Sequence, residues 1–383
     1  GKEYDIAGLP ANALISNISF SLDSKYIAFT HTNDSGVSLW LLDIAAKSAK
    51  QLTDYDLNAV LNDPYQWLRN SQGFLISKSP ANRPALIDHS KDLPTGPVVS
   101  TSEGKVSQLR TYQDLLKNPQ DEQDFVSLAT AELYWIDLQG QQTKFLSADL
   151  YTQANVSPDG KYVLVSKLKK PFSYVVAYNS FPQEANVYAI DGSLEQKVNE
   201  TPLMEIMPKG FSSTRPGKRM LTWRADKPNT LFFVQALDGG DASKPADFRD
   251  ELFTWEYPFS AEPKSLTKVK DRFAGIIWGN DTYALVSSSW YDTRNSKSFV
   301  LNPTTGDARL LIDRNSQDVY SHPGSVHRER NQFGTFSMFI NKDKTYWVGA
   351  GHTKEGEFPF IDELDLKTLK KKRIYTAKAS EMQ

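Results

Sequence analysis

The chain contains no cysteine in 383 residues. That excludes disulfides, thiolate metal sites and a cysteine nucleophile, but it selects no compartment, because an oxidising one permits disulfides without requiring them. Charge of one sign is also missing. Forty-four basic residues stand against 46 acidic ones, a net charge of −2, so no global field draws the chain to nucleic acid or an anionic membrane. No apolar run reaches the ~18 residues that a bilayer span needs. Catalytic motifs are lacking too. A serine on a G-x-S-x-G elbow needs both glycines, and GFSST (210–214) and GSV (324–326) lack the second. There is no H-E-x-x-H, P-loop or G-x-G-x-x-G.

Histidine is scarce: His31, His89, His322, His327 and His352. His322 and His327 share a loop with Glu329, but a metal site needs a third ligand and supporting hydrogen bonds. They read as polar loop residues, and Asp362 and Glu363 as solvated strand-end carboxylates. No metal or cofactor is expected.

What is present is a repeated phrase, clearest in ANVSPDGKYVLVSKL (154–168). Proline presets a turn φ, glycine supplies φ > 0, and aspartate can bond its own backbone two residues on. Flanking β-branched and aromatic residues favour strands, so the phrase reads as a β-hairpin. Equivalent turn residues are Asp23, Asn70, Asp159, Asp226, Asp281 and Asp343, spaced by about 47, 89, 67, 55 and 62. Each turn opens a unit of four strands, A to D, with almost no helical periodicity between them. This predicts an all-β fold, a β-propeller of four-stranded antiparallel blades. Six blades are countable, at about 18–53, 64–148, 154–198, 220–269, 274–313 and 335–376. An irregular β-sandwich with coincidental turns is the alternative. Residues 80–130 interrupt the second unit between strands B and C; a short helix is expected near Thr111 to Lys117, and DEQD (121–124) reads as solvated surface. The ends, GKEYDIAGLP without an initiator Met and KASEMQ, read as cut, so a targeting segment is expected outside the chain.

Loop lengths point to one side of the sheets. A–B and C–D turns are short, whereas B–C connections (80–130, 169–184, 238–250, 290–295, 351–360) and D–A connections (199–218, 313–332) are long. Long loops on a rigid scaffold commonly carry binding. The candidates there are aromatic–basic clusters: Trp290, Tyr291 and Arg294; Phe172 and Tyr174, with Tyr178 beside them; Arg110 and Tyr112. Aromatics give contact area and arginine can clamp a carboxylate. Packing, with the arginines paired to Asp292, Asp114 or Asp318, is the plainer explanation of any one of them.

The run KGFSSTRPGKRMLTWRADKPNTLFFVQALDGGD (209–241) with RDELFTWEYPF (249–259) resembles the propeller of chloroplast-type glutamyl endopeptidases, of the prolyl oligopeptidase family of serine peptidases. QLRTYQDLLKNPQDEQDF (108–125), KYVLVSKLKKPFSYVV (161–176), ALVSSSWYDTR (284–294) and DRNSQDVYSHPGS (313–325) extend the resemblance over nearly the whole chain. Arg224 and Lys227 of WRADKP mark it without facing the long loops. The resemblance implies a propeller that restricts access to small or unfolded peptides and caps a C-terminal α/β-hydrolase domain, which is absent from this chain. It also implies about seven blades, so a seventh is expected to be missing or incomplete. The chain alone is then expected to be inactive, and its parent periplasmic or secreted. The expected partners are peptide substrates and that hydrolase domain, with self-association through an unpaired edge. A stand-alone β-propeller protein- or ligand-binding module stays open. A propeller enzyme with a channel metal would need converging His, Asp and Glu near strand-A starts, which the sequence lacks.

Overall fold

The turn at 157–160 shows how a sheet begins. Ser157 Oγ donates to Asp159 Oδ1 (2.6 Å) and accepts from Tyr162 N, while Asp159 Oδ1 also accepts from Lys161 N. The turn at 21–24 repeats this set: Ser21 Oγ donates to Asp23 Oδ1 (2.7 Å), and the amides of Lys25 and Tyr26 bond Asp23 and Ser21. Gly160 (φ +76°) and Ser24 (φ +59°) fill the left-handed position. Two side-chain acceptors thus hold strand A in register with strand B.

The computed structural model describes residues 2–10, 12–88 and 112–378. The chain forms two compact units, Gly1–Ile206 and Met207–Gln383. The first holds three antiparallel four-stranded meanders. These are β1 (Leu14–Phe20), β2 (Tyr26–Asn33), β3 (Gly36–Asp43) and β4 (Ser48–Gln51); then β5 (Tyr65–Trp67), β6 (Gly73–Lys78), β7 (Ala131–Asp137) and β8 (Gln142–Asp149), with helix α1 (Pro119–Ala129) between β6 and β7; then β9 (Tyr151–Val156), β10 (Tyr162–Leu168), β11 (Gln183–Ala189) and β12 (Leu194–Thr201). The second unit continues with β13 (Arg219–Trp223), β14 (Thr230–Ala236), β15 (Asp250–Glu256) and β16 (Lys264–Val269), then β17 (Arg272–Trp278), β18 (Ala284–Trp290), β19 (Asn295–Leu301) and β20 (Ala308–Asn315). Among the described residues no helix is long and apolar enough to cross a membrane.

The last sheet corrects the sequence reading. Its strand A is β21 (Ser325–Val326), not the expected segment from 335. Residues Arg328–Arg330 (β22) and Phe336–Met338 (β23) instead pair with each other as a separate hairpin. The sheet runs β21, β24 (Lys344–Gly349), β27 (Phe360–Asp365), β28 (Lys371–Thr376), and a small hairpin of β25 (His352–Thr353) and β26 (Gly356–Glu357) fills its B–C connection. The A–B connection of this sheet is therefore not a short turn. Its hairpin is anchored through Asn331 Nδ2, which donates to Ala225 O (2.8 Å) of the fourth sheet's turn, and Thr335 Oγ1, which donates to the same carbonyl.

Central strands are buried on both faces. Phe74 and Ile76 of β6 pack with Ala28, Leu39 and Leu41, whereas Leu75 between them packs with Leu133, Val163 and Val165. In the second unit Phe232 and Val234 meet Ala284 and Val286, while Leu285 and Val300 meet Trp347 and Leu364. The period of two along each strand thus fills two interfaces at once. Phe232 is 1% exposed, with Phe273 and Trp278 each 5.5 Å away. Phe232→Ala should cost about 3–5 kcal/mol in a denaturant titration. Phe336→Ala, on the exposed hairpin, should change stability by no more than about 0.5 kcal/mol.

Candidate functional site

In an A–B–C–D meander the B–C and D–A connections leave from the same end of the sheet, so each unit has an end where its long loops gather. In the first unit that end carries the insertion. Helix α1 lies at 119–129, later than the helix expected at 111–117. Asn118 caps it by accepting from Asp121 N (2.8 Å), and Pro119 sits in its first turn, both good N-terminal chemistry. The acidic run is an anchor rather than a bare surface. Asp121 accepts from Lys117 N, Asp124 accepts from Ile87 N (2.9 Å), and Glu122 accepts from Tyr174 Oη (2.9 Å) with Lys170 Nζ 3.6 Å away.

This packing reassigns part of the expected site. Phe172 is 8% exposed and lies between Phe125 (5.4 Å, perpendicular) and Phe181 (5.1 Å, stacked). Its ring is core, so it has no face to offer a ligand. Tyr112 is half-buried against the same cluster. Tyr174 is exposed, and its bond to Glu122 pushes its hydroxyl pKa up. Arg110 lies outside the described residues.

In the second unit the long-loop end is built on Arg272, the first residue of β17. Its guanidinium makes five hydrogen bonds. Nε donates to Ser212 O (2.7 Å), Nη1 to Arg249 O and Asp250 Oδ1 (3.0 Å each), and Nη2 to both oxygens of Asp238 (2.9 and 2.7 Å). Asp238 also accepts from Gly240 N and Arg249 Nη1 (2.9 Å each), and Asp250 accepts from Phe273 N (2.7 Å) and pairs with Arg219. Both aspartate side chains are fully buried. One arginine thereby ties together a D–A loop, a B–C loop and the starts of two strands.

On this base sits the expected Trp290–Tyr291–Arg294 cluster. The Arg249 guanidinium lies over the Trp290 ring at 4.7 Å, and Arg294 lies over Tyr291 at 3.7 Å. Tyr291 stacks on Phe211 (4.3 Å, 29°), and its amide donates to Ser212 Oγ (3.0 Å). Phe211 is 69% and Tyr291 39% exposed, so the stack presents aromatic surface held from beneath. Arg294 stacks rather than pairing with Asp292, and the carbonyl of Asp318 receives Arg314 instead. Phe211, Arg249 and the Arg–Asp network were not candidates from sequence. The signal was arginine placed at or just before strand starts in STRPGKR, FRDE and KDRF.

Farther along the same unit a cavity of about 700 Å³ is lined by Arg314, Tyr320, His322, His352, Phe358 and Arg373, among others. His327 pairs with Glu329 (3.1 Å), and His322 Nδ1 accepts from Gly324 N. Among the described residues no group of three His, Asp or Glu side chains could hold a metal ion.

No protein-family model matches the chain. A rice protein (Oryza sativa subsp. japonica) named a probable chloroplastic glutamyl endopeptidase is 35% identical over 98% of this chain, and an Arabidopsis thaliana protein of the same name is 36% identical over 97%. The chain is a relative of the glutamyl endopeptidases. It spans 42% and 40% of the length of these two proteins. Among solved structures, prolyl oligopeptidase B from Galerina marginata matches with a TM-score of 0.52 at 13% identity, covering 98% of this chain and 43% of that one. Oligogalacturonate lyase from Vibrio parahaemolyticus matches with a TM-score of 0.50 at 12% identity, covering 96% of this chain and 80% of that one. At such identities the likeness is one of fold: mostly β, with four-stranded antiparallel sheets, consistent with a propeller-like arrangement.

Burial alone would raise the Asp238 pKa, but its hydrogen bonds to Arg272 and Arg249 outweigh that and hold it below the usual value. A depressed folded-state pKa stabilises above the unfolded value of about 3.9 and loses that contribution as pH falls through the folded one. The melting temperature should fall on acidification below about pH 4, and less steeply in Asp238→Asn. At neutral pH, Asp238→Asn should cost about 3–5 kcal/mol, because it leaves buried arginines short of a counter-charge; chemical denaturation measures this.

Proposed function

We propose that this chain is the non-catalytic, substrate-gating part of a serine peptidase similar to the glutamyl endopeptidases. The carrying observation is the match itself. It runs over nearly the whole chain yet leaves more than half of each relative unmatched, which is room for a catalytic domain. The lack of a G-x-S-x-G elbow in this sequence agrees with that division of labour. In this reading the six sheets are blades of a propeller completed by sequence outside the chain. The partner is an α/β-hydrolase domain of the same polypeptide, and the substrates are small or unfolded peptides. The aromatic and arginine-rich loops of the second unit are the surface that meets them. Trp290, Tyr291 and Arg294 stay as proposed contacts on that surface, and Tyr174 stays as one on the first unit; Phe172 does not.

The reading predicts no turnover of a Glu-containing reporter peptide by the purified 383-residue chain. Turnover abolished by a serine-directed inhibitor would overturn it. Sequencing the gene beyond codon 383 should reveal G-x-S-x-G followed by Asp and His in the α/β-hydrolase order. A stop codon there would favour a stand-alone binding protein. That second reading is supported by the equal likeness of this fold to a lyase, since the fold alone does not choose a peptidase.

A further inference from the structure

At the turn end of the second unit, adjacent sheets are linked through side chains of their turns. Lys227 Nζ of the fourth sheet (β13–β16) meets Asp281 Oδ1 of the fifth (β17–β20) at 2.5 Å. Tyr283 Oη of the fifth donates to Asp343 Oδ1 of the sixth (3.1 Å). The first of these is a largely exposed ion pair, a kind that holds little.

Hairpin β22–β23 makes a different link, because it skips a sheet. Its base is set by the sixth sheet. His327 N donates to Tyr346 O (2.7 Å) and Phe339 N to His327 O (3.0 Å), with Phe339 stacked on Tyr346. Its return strand β23 lies against β17 of the fifth sheet. A Cβ on Gly279, just past β17, would stand 2.7 Å from Ile340 Cδ1 and 2.9 Å from Met338 Cε, so glycine permits this close approach. The tip then reaches the fourth sheet. Asn331 Oδ1 accepts from Phe333 N (2.9 Å) and Thr335 N (3.3 Å), and Asn331 N donates to Thr335 O (2.9 Å). These bonds close the tip and leave Asn331 Nδ2 and Thr335 Oγ1 directed at one acceptor, Ala225 O. The carbonyl they meet is itself fixed. Arg224 stacks on Trp278 of β17 (4.1 Å) and pairs with Asp226 (2.7 Å), so Ala225 sits between two anchored neighbours.

Met338 is buried between the fifth and sixth sheets, among Leu285 and Trp347. By contrast, the hairpin adds no strand to the sixth sheet, and Arg328, Glu329, Arg330 and Phe336 are exposed. Ordering so exposed a tip costs conformational entropy, and the bonds that offset it lie two sheets away.

We propose that hairpin β22–β23 is a clamp that locks the turn ends of the fourth, fifth and sixth sheets together, so that the three open only as one body. Releasing its tip frees both interfaces at that end, because the hairpin spans both. In a domain that gates access, such a clamp directs any opening to places other than these two interfaces. It works whether or not the parent protein is a peptidase.

The test is hydrogen–deuterium exchange of the 383-residue chain, read by mass spectrometry at neutral pH. The reporters are amides that close the two turns: Arg224 N, bonded to Thr230 O, and Gly279 N and Asn280 N, bonded to Tyr283 O. Asn331→Asp combined with Thr335→Val removes both donors to Ala225 O and keeps the acceptor that closes the tip. Peptides carrying the reporters of both sheets should then exchange at least about tenfold faster. Peptides carrying Gly240 N and Phe273 N, at the long-loop end, should keep their rates. Phe336→Ala, on the same hairpin but outside these bonds, should leave every reporter unchanged. Should the double variant not fold, Thr335→Val alone, which keeps the side chain's shape, is read by the same reporters. Faster exchange confined to residues 327–341 overturns the clamp, since the hairpin is then an appendage. Equal acceleration at the long-loop end overturns it too, because the loss is then one of global stability. So does unchanged exchange throughout.

Discussion

The structure depends on strands that must be apolar on both faces. When a sheet is packed between two others, alternation no longer separates core from solvent; it assigns successive residues to different neighbours. Phe74 and Ile76 serve one interface and Leu75 the other. Continuous runs such as LFFV (231–234) follow directly, all four residues being buried. The same constraint drives polar chemistry to the strand ends. Charged residues that enter the interior there must bring their own partners, and Arg272 does so through all three of its nitrogens.

That hub gives the long-loop end of the second unit its order. Ser212 is held from two directions, its carbonyl by Arg272 and its hydroxyl by the Tyr291 amide. Phe211 is thus positioned by its backbone while its ring stays exposed. A surface of this kind gives contact area without the entropy cost of ordering a loose loop. The first unit uses its long loops differently. There α1 and residues 169–182 bury Phe125, Phe172 and Phe181 in a satellite core, and the polar contacts of Glu122 close it over.

Local chemistry made much of this readable in the sequence. The side-chain bonds that close the Ser–x–Asp turns at 21–24 and 157–160 join residues close in the chain, so their residue types disclose their geometry. The insertion also stood out, as a break in a regular spacing. Three features depended on partners far along the chain and stayed hidden. Strand β21 has two residues, too few to show a period, whereas FSM (336–338) leads a longer apolar stretch that reads as a strand A and yet pairs with β22. Phe172 and Tyr174 look alike in sequence; Phe125, about fifty positions earlier, decides which of them is buried. The Arg–Asp network joins residues 212, 219, 238, 250 and 272, each unremarkable alone.

Strand β28 lies at the outer margin of its sheet, and every residue in it is exposed. Its backbone offers unsatisfied hydrogen-bonding groups to any extended chain that comes near. Lys370, Lys371, Lys372 and Arg373 crowd into its first half and the turn before it. Like charges repel across a paired edge, and a lysine row leaves no flat apolar register on which a second copy could zip. Ile374 and Tyr375, the exposed apolar residues that follow, would otherwise invite such stacking. A basic cluster at an outer strand disfavours pairing with a second copy, and salt screens that repulsion.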